Sequence, residues 1–476
     1  MMMNRKRSGI NRRQFLKKGL TGTTGLLLTK DLLTSNLFAQ NRTGGKDVPN
    51  VLLIMTDQQH RQSISAINSK YTNTPGMDRL FNRGTYFEQS YCTSPVCSPS
   101  RSSILTGRMP SETGVYENSL SIREDIPNIG QWLSTKGNYD SVYAGKWHLP
   151  QSATLNIPGF RVLAPGIGGR GMLADTSASM ACEGYLRNYQ GDKPFFMVAS
   201  FIQPHDICQW IRVNEKVPTE FEIDAIESDL PPLPENFGFD PDEPEVVSAY
   251  RNKQNQTDQN WTEKYWQYYM WSYQRMVEQV DGEIENLLLT LKETGLDKNT
   301  LIIFTSDHGE GLAEHQLTIK NVLYESAARV PFIISMPGKI PEKQIDSEHL
   351  VSGLDIVPTI CDYVGLKPPE GVKGRSLKPI LEGKKGDWRS FVAVESTNIK
   401  KHLGRMIRTE KYKYIEYAND KKVQLFDLKN DPGELTNLAT NPEYATVLNE
   451  HRELLKKWEA NLDRAPTLPS DKIWNM

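Results

Sequence analysis

Five short apolar runs punctuate the chain, and four of them pass directly into polar side chains. Val51–Met55 leads into Thr56-Asp57-Gln58-Gln59, and Ser141–Ala144 into Gly145-Lys146-Trp147-His148. Phe195–Phe201 leads into Gln203-Pro204-His205-Asp206, and Thr300–Thr305 into Ser306-Asp307-His308-Gly309-Glu310. The fifth, Phe332–Met336, stops at Pro337-Gly338. An apolar run of this length followed by polar residues reads as a strand buried on both faces that ends in a loop. Helical candidates lie between the runs: Ile129–Lys136, Trp261–Thr294 and Leu354–Val364. The long one carries Met276, Val280, Ile284, Leu287, Leu288 and Leu291 at helical spacing. Alternating strands and helices predict an α/β domain built on a large, mainly parallel sheet flanked by helices. Ligands in such sheets sit beyond the carboxyl ends of the strands. Four strands that end in Asp, Lys or His therefore predict one convergent site.

The texture changes twice. Residues 207–260 include Leu230-Pro231-Pro232-Leu233-Pro234-Glu235 and read as an insertion or long surface loop over the sheet. After about residue 383 the strand-like pieces shorten (Phe391–Val394, Lys413–Tyr417) and a helix is predicted from Pro442 to Asn461. The expected organisation is a catalytic domain over residues 48–382 and a smaller α+β domain over 383–476.

Composition narrows the functional classes. Lys plus Arg number 56 against 58 Asp plus Glu, a net charge of −2. That balance offers no basic face for nucleic acid or a membrane surface. Cys92, Cys97, Cys182, Cys208 and Cys361 form no C-x-x-C pair and no disulfide scaffold. Arg12-Arg13 in Asn11–Lys17, followed by the mildly apolar Gly19–Leu28, resembles a twin-arginine export signal over residues 1–40. Its apolar part is well short of the ~20 residues a bilayer-spanning helix needs. The expectation is a protein that meets the export machinery, makes no stable membrane insertion and works in the periplasm or outside the cell.

The most specific signal is Cys97-Ser98-Pro99-Ser100-Arg101 followed by Leu105-Thr106-Gly107-Arg108. It resembles the C-x-P-S-R maturation motif and the Leu-Thr-Gly-Arg extension of type I sulfatases, in the alkaline phosphatase superfamily. The Gly145-Lys146-Trp147-His148 and Gly309-Glu310…Glu314-His315…Lys320 contexts are similar to that family too, as is Gln424–Ala439 around Asp431-Pro432-Gly433. The resemblance spans roughly residues 48–440. It implies an alkaline-phosphatase-like fold and conversion of Cys97 to formylglycine by a formylglycine-generating maturase. The hydrated aldehyde would attack sulfur, and its second hydroxyl would later expel sulfate.

Asp57 and Asp307 follow two different strands, and hard divalent cations prefer such oxygen ligands. The resemblance assigns one Ca²⁺ to Asp57, Gln58, Asp307 and His308; many relatives carry Asp in place of Gln58 and Asn in place of His308. It assigns Arg101, Lys146 and His148 to the formylglycine side, and His205 and Lys320 to the sulfate and leaving oxygen. His205 is the expected general acid. Trp210, Arg212 and His315 are candidates for a sugar subsite, whereas Trp147 is expected to pack beneath its loop. The leading reading is hydrolysis of a sulfate monoester on a sulfated carbohydrate. The alternatives are a phosphonate or phosphate ester hydrolase of the same fold, or an unmatured glycan-binding homologue.

Overall fold

The computed structural model describes residues 48–166, 170–214, 224–254, 261–396, 403–418 and 420–466. The predicted export segment 1–40 lies outside them. In chain order the strands are β1 (Asn50–Asp57), β2 (Gly84–Phe87), β3 (Ser90–Tyr91), β4 (Asp140–Gly145), β5 (Arg161–Pro165), β6 (Phe195–Pro204), β7 (Thr300–Ser306), β8 (Phe332–Ser335), β9 (Gln344–Asp346) and β10 (Val351–Ser352). Eight of them form one sheet in the order β5-β4-β6-β1-β7-β8-β2-β9. Strands β5, β4, β6, β1 and β7 pair in parallel, and β8 runs antiparallel to both β7 and β2. The predicted runs thus supply the centre of the sheet.

Alternation along β1 shows why the sheet is covered on both sides, since successive side chains of a strand point to opposite faces. Leu52 and Ile54 join a core shared with helices Pro75–Asn82, Gly171–Asn188 and Glu263–Glu293. Val51, Leu53 and Met55 face helices Cys97–Thr106, Ile129–Lys136 and Ile356–Tyr363. Ile129–Lys136 begins with a capping box in which Asn128 accepts from the Gln131 amide and Gln131 answers the Asn128 amide. The longest helix starts at Glu263, where the Thr262 hydroxyl accepts from the Tyr265 amide.

The 207–260 segment is more structured than its Pro-rich composition predicts. It contains helices Ile207–Asn214 and Glu245–Gln254, because Ile207 and Ile211 on the first, and Val247 and Tyr250 on the second, are buried in core clusters. Residues 215–223 and 255–260 of that segment lie outside the described residues.

Toward the C-terminus, β11 (Phe391–Ser396), β12 (Gly404–Thr409), β13 (Tyr412–Tyr417) and β14 (Gln424–Asp427) form an antiparallel meander. One face, with Ala393, Ile407, Tyr414 and Leu425, packs on helix Ala445–Ala460 through Leu448 and Leu455. The other, with Val394, Met406 and Ile415, meets Tyr91, Leu323 and Ala327. A buried charge cluster fastens this joint. Lys413 Nζ lies 3.2 Å from Glu325 Oε1 and 2.7 Å from Glu434 Oε1. Glu434 Oε2 also accepts from the Glu325 amide at 2.7 Å. The Asp431-Pro432-Gly433-Glu434 turn is therefore a structural clasp. Burial pushes Glu325 up, but Lys413, Arg329 and Arg408 outweigh it and hold the group at about 2.

Replacing Lys413 with Met leaves two buried carboxylates without their shared cation. The expected loss is about 3–5 kcal/mol of unfolding free energy, read from the denaturant midpoint. A change below about 1 kcal/mol, the value of an exposed pair, would show that the cluster does not fasten the joint.

Candidate active site

The carboxyl ends of β4, β6, β1 and β7, which are neighbours in the sheet, deliver Lys146, His205, Asp57 and Asp307 to one place. Helix Cys97–Thr106 points its first turn at the same place, where the positive end of the helix dipole favours negative charge, although Asn118 Oδ1 already accepts from the Ser98 amide. Asp57, Asp307 and Arg101 are fully buried. Arg101 is the strut between the two acids: Nη2 donates to Asp57 Oδ2 at 3.0 Å and Nε to Asp307 Oδ2 at 2.8 Å. Its Nη1 donates to the Lys146 carbonyl and to Ser200 Oγ, each at 2.8 Å. Every edge of the guanidinium is thereby used, which fixes the spacing of three strand ends.

Cys97 Sγ lies 3.0 Å from Lys320 Nζ, 3.3 Å from His308 Nε2 and 3.7 Å from Asp57 Oδ1. Burial pushes its thiol up, but Lys146, Lys320, His308 and a hydrogen bond with His148 carry it well below the ordinary thiol range. His148 adopts a φ of 66° and accepts Ser98 Oγ on its carbonyl at 2.6 Å, which holds it against the first turn of the helix. Lys146 Nζ donates to Asp57 Oδ2 at 2.6 Å. His205 Nε2 stands 4.0 Å from Asp57 Oδ1, with about a quarter of its side chain (27%) exposed at the mouth of the site. Burial, Lys146 and Lys320 lower the pKa of this imidazole, against the pull of Asp57.

The donor set suits a divalent cation. One ligand atom each from Asp57, Cys97, Asp307 and His308 lies within 4.8 Å of the others. The Asp57 carboxyl sits low because Lys146, His205 and Lys320 outweigh burial, whereas burial and Asp57 itself push Asp307 up. His308 Nδ1 faces the Gly309 carbonyl at 2.9 Å, so that the neutral ring would offer its Nε2 lone pair to a cation, the usual arrangement of a ligating histidine. Gln58 stands beside them with its Oε1 accepting from Lys320 Nζ at 2.7 Å. All ten residues singled out from the sequence (Asp57, Gln58, Cys97, Arg101, Lys146, His148, His205, Asp307, His308 and Lys320) thus lie in or beside one cluster.

The family model for sulfatases matches residues 49–366. The chain belongs to the sulfatase family. A second model, the C-terminal part of N-sulphoglucosamine sulphohydrolase, matches residues 313–461. A Δ4,5-hexuronate-2-O-sulfatase of Bacteroides thetaiotaomicron is 30% identical over 86% of this chain and 88% of its own length. An N-acetylglucosamine-6-O-sulfatase of the same organism is 27% identical, over 86% of each. Among solved structures, a 2-O GAG sulfatase superposes with a TM-score of 0.78 at 30% identity, covering 87% of this chain and 92% of the other. A phosphonate monoester hydrolase of Silicibacter pomeroyi superposes with a TM-score of 0.71 at 23% identity, over 89% and 97%, a likeness of fold alone. The protein is a sulfuric ester hydrolase with the fold of solved sulfatases.

The sulfatase also uses residues that sequence spacing did not single out. Ser200 ties Arg101 to the Lys146 loop, its hydroxyl donating to the Lys146 carbonyl at 2.8 Å. Tyr273 donates to the Gln58 carbonyl at 2.7 Å and accepts from the His60 amide at 2.7 Å, so one hydroxyl pins the turn after β1. Glu314 accepts from Arg61 Nη2 at 2.9 Å, from His60 at 3.0 Å and from Asn236 Nδ2 at 3.0 Å, joining that turn to the loop bearing Lys320. Tyr273 is a buried aromatic of helix Glu263–Glu293, and its hydroxyl is what gives it a role at the site. Of the sugar-subsite candidates, His315 is buried and stacked on Tyr324 at 4.3 Å, away from an open surface. Trp210 packs among Trp261, Tyr265, Tyr268 and Tyr269, and Arg212 is exposed. Trp147 packs beneath its loop as expected, its Nε1 donating to the Leu149 carbonyl at 2.7 Å.

Arg101→Lys keeps the charge but not the fork. Turnover of an aryl sulfate is expected to fall by at least about 10²-fold, the scale of losing a fixed charge stabiliser, together with the melting temperature. Unchanged values for both would refute the role of the guanidinium as the strut between the acids.

Proposed function

We propose that this sulfatase hydrolyses a sulfate monoester on a sulfated carbohydrate, with Cys97 converted to formylglycine as nucleophile and one Ca²⁺ held by Asp57, Gln58, Asp307 and His308. The observation that supports this most directly is the setting of Cys97: buried at a helix start, with Lys320, His308 and Asp57 around its sulfur. An aldehyde hydrate there supplies an oxygen nucleophile, and calcium supplies charge neutralisation on a sulfate oxygen.

The chain's own groups then divide the work. Arg101, Lys146 and His148 orient the attacking hydroxyl, Arg101 as part of a frame that does not move and Lys146 through its bond to Asp57. Lys320, held to Gln58, places an ammonium where charge gathers on the sulfuryl oxygens. His205, at the open side, gives its proton to the leaving sugar oxygen. Burial and two lysines lower the pKa of its imidazole, and a bound sulfate anion would offset the lysines and favour the protonated ring.

The sugar preference follows the relatives, which are named for hexuronate 2-O-sulfate and N-acetylglucosamine 6-O-sulfate. We read residues 48–382 as the catalytic unit and 383–476 as a smaller one. The twin-arginine-like leader supports export to the periplasm or beyond, with maturation before export. Among the described residues no helix is long and apolar enough to cross a membrane.

Peptide mass spectrometry across residue 97, on protein from its native host, is expected to show an aldehyde in place of the thiol. A thiol in every molecule, with glycan binding but no turnover, would favour the binding-protein reading. Assay of the matured protein on sulfated uronic acid and glucosamine oligosaccharides is expected to release sulfate. Faster release of phosphonate at equal concentration would favour the ester hydrolase alternative. Chelation is expected to abolish turnover and added calcium to restore it; full activity in excess chelator would remove the metal from the proposal.

A further inference from the structure

Gln58 brings an ambiguity that a carboxylate does not have. The two oxygens of a carboxylate are equivalent, but a half-turn of the amide about its last bond exchanges an acceptor for a double donor. The backbone beneath the amide is pinned: Gln58 sits at a φ of 70°, its N–H donates to Asp307 Oδ1 at 3.1 Å and its carbonyl accepts from Tyr273. Cys208 Sγ, 3.3 Å from Nε2 and 3.5 Å from Oε1, can give or accept a proton and decides nothing. Two groups do decide. Lys320 Nζ has only donors and faces Oε1 at 2.7 Å, while Glu310 Oε2 accepts from Nε2. Glu310 is itself fully buried, and its other oxygen accepts from the Tyr269 hydroxyl and the Ile319 amide. Every hydrogen bond to this carboxylate thus comes from a donor.

The geometry points to Glu310, steadied by Tyr269, as the positioning residue that keeps the Gln58 carbonyl oxygen turned toward Lys320 and the cation site. The inference rests on the proposed calcium assignment and gives Gln58 its orientation within it. A flipped amide would set an NH₂ group against the Lys320 ammonium, and Lys320 would lose the anchor that holds it 3.0 Å from Cys97 Sγ.

The isosteric change Glu310→Gln forces such a flip. The Tyr269 hydroxyl and Ile319 N–H would claim the carbonyl of the new amide and turn its NH₂ toward Gln58, donor against donor. Gln58→Glu added to it accepts that NH₂ and still presents an oxygen to Lys320.

The test is a double-mutant cycle on the full-length, matured protein. Calcium affinity is measured by calorimetry after chelation, alongside kcat, KM and melting temperature for an aryl sulfate. Glu310→Gln is expected to weaken calcium binding at least tenfold and to lower kcat more than it raises KM. The Gln58→Glu/Glu310→Gln protein is expected to recover most of the affinity, whereas Gln58→Glu alone brings two buried carboxylates together and gains none. If Gln58→Glu changes affinity by the same factor in both backgrounds, the positioning role is overturned. Tyr269→Phe, which removes one hydroxyl, guards against misfolding of the Glu310 variant; a several-fold loss of affinity is expected, and none would count against the role. A wild-type protein that binds no calcium overturns the metal assignment instead. The four melting temperatures then still judge the pairing, because additive shifts exclude the coupling.

Discussion

Two carboxylates, Asp57 and Asp307, are buried at the ends of adjacent parallel strands, and one guanidinium separates them. Like charges so placed would push β1 and β7 apart at the point where the sheet must hold its register. Arg101 resolves this from outside the sheet, because helix Cys97–Thr106 drives it in from the face opposite the long helix. The strut that makes the acid pair tolerable is therefore carried four residues beyond Cys97, on the same helix. One helix therefore positions both Arg101 between the acids and Cys97 beside them.

Around this frame the polar groups are layered by what holds them. Arg101 and Ser200 lock the Lys146 loop, and Tyr273 locks the turn after β1. Glu310 and Glu314 tie the loop bearing Lys320 to the long helix and to the 207–260 segment. Lysine side chains carry large rotamer entropy; here that cost is met by partners that are themselves immobile. His205 is the most open of them, about a quarter exposed, with Asp57 Oδ1 4.0 Å from its ring.

Much of this is legible in the sequence. The four strand ends were visible because parallel strands buried on both faces leave apolar runs with abrupt polar stops, and the cysteine motif marked the helix that faces them. Helix Ile129–Lys136 has the bounds expected of it from the sequence. What stayed hidden shares one property: a side chain whose role is set by a partner far along the chain. Tyr269 and Glu310 are 41 residues apart, and Gln58 and Glu310 are 252 apart. No periodicity links such positions. The same limit concealed the helices within the Pro-rich segment, whose buried Val247 and Tyr250 become informative only beside Leu317 and Tyr324.

The burial of Cys97 also has a consequence in time. Its thiol is almost inaccessible once folded (1%), and the lysine that closes over it, Lys320, lies 223 residues downstream. At about 5–20 residues per second of synthesis, roughly 10–45 s pass before that lysine leaves the ribosome. The clasp of Lys413 on Glu325 and Glu434 comes later still. Any enzyme that modifies Cys97 therefore works against a clock set by chain order, and the distance between Cys97 and Lys320 in the sequence is the length of the window it is given.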